Sequence, residues 1–217
     1  MKSITNDAAP PWLVDAVAHL KTADPVLRRV IEKVGPCQLP RHRQRYATLV
    51  KSIISQQIST KAADSIHRRL IETIAPDGME PVIVAALSEE QMQAAGLSPQ
   101  KRRYLRDLTE KVVAGTVRLA QLHRLNDDEV IKELTQVKGI GVWTAQMFLI
   151  FSLNRPNVFP FEDLGIRNAL RNIYRLKEAP DKKQAHQIAA PWVPYASIAA
   201  WYCWRSLEFP VETWQSE

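Results

Sequence analysis

The amino-acid sequence predicts an all-α protein, and three observations support this prediction. Apolar residues recur about every 3.6 positions over most of the chain, and no alternation typical of strands persists. Two segments begin with the capping-box pattern, in which Ser88 or Asn126 is followed three residues later by Gln91 or Glu129. The joints between segments contain proline or glycine, which interrupt regular structure. We therefore expect a chain of short helices.

The expected helices follow one another with short joints. Ser98 and Pro99 mark one helix start clearly, with Ser98 as the N-cap and Pro99 at the first helical position. Proline is favourable there because the amide it lacks would have no hydrogen-bond partner within the helix. In chain order, we expect helices over residues 11–21, 25–34, 42–55, 60–74, 80–87, 89–95, 99–114, 117–123, 127–136, 142–152, 164–174, 182–190 and 195–207.

Composition limits the possible functions. A hydrophobic fraction of 46% in 217 residues is enough for a sizeable core, and no apolar run reaches the ~20 residues of a membrane span. The net charge of +6 favours a polyanionic partner. Basic residues cluster at 41–45, 67–69 and 100–106, although each cluster alone is more typical of a solvated helix face. Residues 1–12 lack the apolar core of a secretory signal, so we expect an intracellular protein.

The side chains give no sign of a metal site. Two cysteines, Cys37 and Cys203, are too few for a four-thiolate iron–sulfur cluster or a zinc ribbon. The histidines are scattered along the chain without the spacing of metal ligands. We therefore expect no iron–sulfur cluster and no metal held by side chains.

The stretch 134–150 combines a turn containing two glycines with a strongly apolar segment. Gly139 and Gly141 permit a tight turn, after which a helix can begin abruptly with its amides exposed to a phosphate oxygen. A pair of glycines alone is also typical of a plain helix connector. The wider spacing of Leu134, Val137 and Ala145 around them indicates a helix–hairpin–helix motif, which holds the DNA backbone without sequence preference.

Asp163 follows a proline-containing loop and directly precedes an expected helix. An aspartate at this position is most simply a helix N-cap. A carboxylate fixed at a helix start is also rigidly aimed, so the capping role and a chemical role are compatible.

Together, these motifs resemble the helix–hairpin–helix base-excision glycosylases, and most of all their DNA-3-methyladenine glycosylase II (alkylpurine glycosylase) branch. The resemblance runs from about Asp24 to Leu207 and implies that Asp163 is catalytic. Trp143 stands where relatives that also cut the backbone carry a lysine nucleophile. No Schiff base can form at that position, so the resemblance implies a monofunctional enzyme without AP-lyase activity. The loop before Asp163 lacks the glycine usual in the family and reads FPFE.

The resemblance also implies two helical lobes with a cleft for DNA and the base between them. The central lobe is expected over residues 41–155, with the helix–hairpin–helix over 134–150, and the second lobe over 1–40 plus 156–217. The expected base-pocket residues are mostly aromatic or apolar, although about half of the tryptophans are expected to be core residues: Trp143, Met147, Leu164, Trp201 and Tyr202. The expected DNA-binding residues lie in two segments: Ser55, Gln56, Gln57, Lys138, Gly139, Ile140, Gly141 and Thr144.

Gln57 matches the residue that fills the gap left by a flipped nucleotide, although spacing alone equally fits a polar residue at a helix end. The family commonly holds a monovalent cation on hairpin carbonyls, which would here be those of Gln136, Val137 and Ile140. We expect that no cofactor is required and that the hairpin holds at most a structural Na⁺ or K⁺. We also expect the protein to be a monomer.

The expected activity is base excision repair of alkylation damage: hydrolysis of the N-glycosidic bond of alkylated purines, chiefly 3-methyladenine, in duplex DNA by base flipping. The product is an abasic site. Two alternatives remain open, a glycosylase for another damaged or mispaired base and a non-catalytic helix–hairpin–helix module that only binds DNA.

Overall fold

The computed structural model describes residues 11–214, and this part of the chain is helical with no β-strand. The expected all-α class is confirmed. The helices are α1 (Pro11–Ala23), α2 (Pro25–Val34), α3 (Arg45–Ser55), α4 (Thr60–Thr73), α5 (Pro81–Ala85), α6 (Glu89–Ala94), α7 (Pro99–Val113), α8 (Asp127–Thr135), α9 (Val142–Phe151), α10 (Leu164–Ile173), α11 (Lys182–Ala189) and α12 (Ala196–Ser206). None of them is long and apolar enough to cross a membrane. Most of the stretch on which the absence of a secretory signal was predicted, residues 1–10, lies outside the described residues.

The caps predicted from the sequence are present. Ser88 at α6 and Asn126 at α8 both form reciprocal capping boxes with the residue three positions later. Ser98 accepts a hydrogen bond from the amide of Lys101, with Pro99 at the first helical position. Because these signals are local in the sequence, they locate the helix starts well.

The prediction of a helix over residues 117–123 is wrong. A single 3₁₀ turn, Leu122–Arg124, stands at the end of this segment. The Arg45 guanidinium donates to the carbonyls of Leu119, at 2.6 Å, and Ala120, at 3.1 Å. These carbonyls therefore bind a distant side chain, and the segment forms isolated turns.

The chain divides into two compact units. The first unit comprises the described residues of Met1–Pro40 together with those of Arg155–Glu217, and the second unit is Arg41–Asn154.

The first unit packs α10 and α12 against α1 and α2. Its core contains a buried carboxylate, Asp24, which caps α2 by accepting from the amides of Val26 and Leu27. The other oxygen of Asp24 accepts from the indole of Trp192 at 2.8 Å and from the hydroxyl of Tyr174. A buried carboxylate requires such donors, and here they join the start of α2 to the end of α10.

The second unit is organised around α7. Helices α3, α5 and α6 pack against α7, and α9 packs against α3 and α8. Leu49 and Ile53 of α3, with Leu105 and Leu108 of α7, are buried in its core. This packing fixes the ends of α3 and the turn between α8 and α9, which carry the residues expected to contact DNA.

Candidate functional site

The turn between α8 and α9 forms the expected hairpin. The amide of Ile140 donates to the carbonyl of Val137 at 3.0 Å, and Gly139 adopts a left-handed conformation with φ of 84°. Gly141 is the N-cap of α9 and provides no side-chain acceptor. The first amides of a helix have no intrahelical acceptors, so a phosphate oxygen suits this position.

Helix α7 holds the hairpin from beneath. A Cβ on Gly139 would lie 2.2 Å from the ring of Tyr104, so a side chain does not fit there. Asp107 accepts from the backbone amide of Lys138 at 2.8 Å and from Lys111 Nζ at 2.6 Å. Burial raises the pKa of Asp107, but these hydrogen bonds and the two lysine charges outweigh it and leave the pKa below its usual value.

The turn between α3 and α4 is tied to this hairpin. Gln56 Nε2 donates to the Gly139 carbonyl at 2.7 Å. The buried Lys101 donates to the carbonyl of Ile54 at 2.5 Å, and burial lowers its pKa. Gln57 is exposed and has a left-handed backbone with φ of 57°, which is uncommon for a residue other than glycine. The structure thus joins Gln56 to the hairpin and leaves Gln57 projecting from the turn.

The remaining residues expected to contact DNA differ in exposure. Lys138 and Gly141 are exposed, and Ser55 is exposed with its hydroxyl bonded to the Lys51 carbonyl. Ile140 and Thr144 are buried. The Thr144 side chain is buried in the second unit, so a DNA contact at Ile140 and Thr144 would be made by the backbone, and it stays a prediction.

Trp143 lies in the first turn of α9, and its side chain is 44% exposed. Its neighbour Val142 is 50% exposed, whereas Met147, one turn further along, is half-buried. A large aromatic ring left open at a helix start suits stacking against a planar partner.

Asp163 is the N-cap of α10, and its Oδ1 accepts two hydrogen bonds. The amide of Ile166 donates at 2.9 Å, and the indole Nε1 of Trp204 on α12 also donates at 2.9 Å. A Cβ on Gly165 would lie 2.9 Å from this same oxygen. The carboxylate is therefore held in one orientation by a helix start and by a ring from another helix.

The loop before Asp163 is fixed by aromatic contacts. The ring of Phe159 lies edge-on to those of His186, at 5.3 Å between centroids, and Trp192, at 5.6 Å. Phe161 lies 5.9 Å from the His186 ring and packs beneath the guanidinium of Arg167. These ring contacts hold the loop, which lacks the glycine usual in the family, in place by side-chain packing.

The other expected pocket residues of the first unit have different environments. Leu164, next to Asp163, is 67% exposed, and Trp201 is 8% exposed. Tyr202 is fully buried, stands edge-on to Trp201 at 4.9 Å, and donates its hydroxyl to the Gly35 carbonyl. Tyr202 is thus a core residue that supports Trp201, and its predicted place in the pocket wall is corrected.

The basic clusters are partly structural. The guanidinium groups of Arg45, Arg69, Arg102 and Arg106 donate to backbone carbonyls, and Arg102 and Arg106 also pair with Glu89. These arginines satisfy carbonyls at chain turns and helix ends, where few other donors are available. Part of each of these guanidinium groups is thus engaged within the protein, in addition to the solvated face or the phosphate contact considered for the clusters.

Sequence reasoning missed several functional positions. It counted Trp204 only among the aromatic residues of the C-terminal segment, without its contact to Asp163, and it did not identify Gly165, Tyr104 or Asp107. The available signal was a glycine two residues after the predicted cap Asp163, since glycine is a poor helix former. Among the described residues, no group of three histidine, cysteine, aspartate or glutamate side chains is placed to hold a metal ion.

Comparisons with known proteins agree with this geometry. A profile described as "HhH-GPD superfamily base excision DNA repair protein" matches residues 50–194. The chain is 35% identical over 200 residues to DNA-3-methyladenine glycosylase 1 of Schizosaccharomyces pombe, which covers 89% of this chain and 87% of that protein.

Two solved structures are also similar. One is the 3-methyladenine DNA glycosylase of the same yeast in complex with abasic DNA, with a TM-score of 0.79, 34% identity, and coverage of 91% of this chain and 98% of that chain. The other is a DNA-3-methyladenine glycosidase from Bacillus halodurans, with a TM-score of 0.81, 34% identity and 88% coverage of each chain. This chain therefore belongs to the HhH-GPD superfamily of base excision DNA repair proteins.

Proposed function

We propose that this protein is a monofunctional DNA glycosylase that hydrolyses the N-glycosidic bond of alkylated purines, chiefly 3-methyladenine, in duplex DNA and leaves an abasic site. The observation that carries the proposal is the fixed carboxylate of Asp163 in a chain whose hairpin is followed by Trp143. The names of the similar proteins from yeast and Bacillus support the same substrate class.

The hairpin supplies the grip on DNA. Backbone amides at the start of α9 and the exposed Lys138 suit a phosphate group, and such contacts position a duplex without reading its sequence. A repair enzyme needs this property because damage arises in any sequence.

The projecting turn supplies the means of extruding a nucleotide. Base flipping costs a few kcal/mol, and a side chain that fills the vacated space offsets part of this cost. The exposed Gln57, held in a left-handed backbone conformation next to the anchored Gln56, is the residue that fills this space.

The tryptophans supply the preference for alkylated bases. Stacking contributes roughly 1–3 kcal/mol per base. A purine alkylated at N3 or N7 carries a positive charge, which an aromatic face attracts by about 0.5–2 kcal/mol. In the second unit the exposed ring of Trp143 offers such a face, and in the first unit Tyr202 supports the ring of Trp201.

Asp163 supplies the catalysis. An alkylated base leaves as a neutral molecule, so little acid catalysis of the leaving group is needed, and positive charge develops on the sugar. A carboxylate ~4 Å from this charge stabilises it by about 4 kcal/mol at an effective dielectric of ~20, roughly a thousandfold in rate. The same group orients the attacking water or accepts its proton. No lysine stands at position 143, so the enzyme stops at the abasic site.

A monovalent cation at the hairpin fits this function. The carbonyls of Gln136, Val137 and Ile140 lie on one tight turn, and carbonyl oxygens are suitable ligands for a hard cation. The Val137 carbonyl already accepts the Ile140 amide but has a second lone pair. Bound Na⁺ or K⁺ would supply positive charge for a nearby phosphate, while the chain's own amides orient it.

The test is to incubate the protein with methylated duplex DNA and to separate the released bases by chromatography. We expect free 3-methyladenine and an abasic strand that breaks only after alkali treatment. Borohydride should trap no covalent complex. Strand cleavage without alkali, or a trapped complex, would contradict the monofunctional assignment.

The same experiment tests the alternatives. A plain DNA-binding module would bind the duplex with a steep salt dependence and release no base. A glycosylase for another lesion would leave methylated DNA intact and release base from duplexes with oxidised or mispaired bases.

A further inference from the structure

The indole of Trp204 makes an unusual contact for a tryptophan on a helix that is mostly buried. Helix α12 packs against α10, and from it Nε1 of Trp204 donates to Oδ1 of Asp163 at 2.9 Å. These residues are 41 positions apart in the sequence. We propose that Trp204 is a positioning residue that sets the orientation of the catalytic carboxylate, and that Gly165 provides the space for this contact. The inference rests on the proposed glycosylase function.

An N-cap bond alone leaves a carboxylate some freedom. Oδ1 of Asp163 accepts the amide of Ile166 at 2.9 Å, and rotation about the side-chain bonds can still tilt the carboxylate plane around this single contact. A second donor at the same oxygen, on a rigid ring with only two side-chain torsions, removes that freedom. With Oδ1 fixed by two N–H groups, the direction of Oδ2 is fixed as well.

Gly165 makes this arrangement possible. A Cβ at this position would lie 2.9 Å from Asp163 Oδ1, 3.1 Å from Trp204 Cδ1 and 3.4 Å from Trp204 Nε1. The first distance is shorter than real Cβ contacts, so a side chain here must displace the carboxylate. Glycine at this second position of α10 therefore leaves room for the contact between Asp163 and Trp204.

The consequence is an effect on the chemical step. Effective catalysis by a carboxylate requires its charge to be oriented before the reaction, because reorientation during the step costs energy. Loss of the indole donor should therefore slow hydrolysis without weakening the hold on DNA, which depends on the hairpin in the second unit.

The test uses Trp204→Phe, which retains an aromatic ring and removes the N–H, and Gly165→Ala, which displaces the carboxylate by its added methyl group. The matched control is Trp214→Phe, because Trp214 Nε1 also donates to an acceptor in the same unit, which is the Ser206 carbonyl and not Asp163. For each variant we would measure the single-turnover rate of 3-methyladenine release, the Kd for duplex DNA and the Tm.

We expect Trp204→Phe to lower the single-turnover rate at least tenfold with Kd within about twofold of wild type. Gly165→Ala should lower the rate and also lower Tm modestly, because displacing the Asp163 carboxylate weakens the N-cap bond of α10. The control Trp214→Phe should lower Tm and retain the wild-type rate.

Two results would overturn the inference: a wild-type rate in Trp204→Phe, or a loss of rate that Trp214→Phe shares in proportion to its loss of Tm. Either result, with Asp163→Asn inactive, would leave the proposed function intact and remove only the role of Trp204. A wild-type protein that binds duplex DNA and releases no base would overturn both.

Discussion

Individual tryptophans of this chain have distinct roles that follow from their surroundings. Trp192 and Trp214 are buried and donate their indole N–H to Asp24 and to the Ser206 carbonyl, so they stabilise the first unit. Trp204 donates to the proposed catalytic carboxylate. Trp143 is 44% exposed on the second unit. An exposed aromatic face can stack against a planar base and attract its positive charge, which is the role proposed for Trp143.

Replacing Trp143 by alanine tests its role in base recognition. Because stacking contributes roughly 1–3 kcal/mol per base, we expect the single-turnover release of 3-methyladenine to fall by about tenfold or more. The control is Tyr202→Phe, which removes the hydroxyl bonded to the Gly35 carbonyl. This variant should lose about 0.5–1.5 kcal/mol of unfolding free energy in chemical denaturation and retain its rate of release. If the Tyr202→Phe variant released base slowly and had normal stability, Tyr202 would have to contribute to the base pocket.

The sequence allows prediction of single residues only where their signal is local. Asp163 could be identified as a cap because the following helix is visible in the sequence, and the structure confirms that capping bond. The partner of its Oδ1, Trp204, could not be found in this way, because a contact between α10 and α12 depends on how two helices pack. The burial of Thr144 and Tyr202 was missed for the same reason, since each lies on an apolar helix whose buried face the pattern does not define.

Among the structural elements, the two turns of the second unit act together. The turn after α3 carries Gln57, and the hairpin before α9 carries Gly139. The side chain of Gln56 joins them through the Gly139 carbonyl at 2.7 Å, and α7 holds both through Lys101 and Asp107. Under the proposed function, a phosphate bound at the hairpin would therefore also fix the place from which Gln57 projects, and DNA binding would be connected to base flipping.

Replacing Gln56 by alanine should loosen this connection. We expect the fluorescence of 2-aminopurine placed beside the lesion to report less base flipping, while duplex affinity, which depends on the hairpin, falls only a few-fold. The unfolding free energy should fall by about 1 kcal/mol, because a hydrogen bond is lost.

Gln57→Ala is the matched control for this prediction. It removes the projecting side chain and retains the bond to Gly139, so flipping should decrease without loss of stability. Normal flipping in Gln56→Ala would show that the two turns act independently.

Helix positions follow closely from the sequence where caps define them, as at α6 and α8. The expectation fails over residues 117–123, where the apolar pattern resembles a helix but Arg45 takes the carbonyls of Leu119 and Ala120. The two residues of each bond are 74 and 75 positions apart, and no pattern within the segment contains this information. Short segments between helices depend most on such distant partners.

At the scale of the whole molecule, the net charge of +6 overstates the number of cationic N–H donors available to a polyanion. Arg45, Arg69, Arg102 and Arg106 are bonded to carbonyls of the protein itself. The N–H groups engaged in these bonds are not available to phosphate oxygens. Excess charge in a sequence therefore indicates the class of partner better than it indicates the number of contacts.

Release of free 3-methyladenine from methylated duplex DNA by the wild type and by Asp163→Asn tests the central claim most directly. The substitution removes the charge and retains an oxygen that can cap α10, so the variant should fold and bind DNA normally. We predict that wild-type protein releases the base and that the variant does so at least about a hundredfold more slowly. Release at the wild-type rate by Asp163→Asn would contradict the account, because the chemistry would then depend on another group.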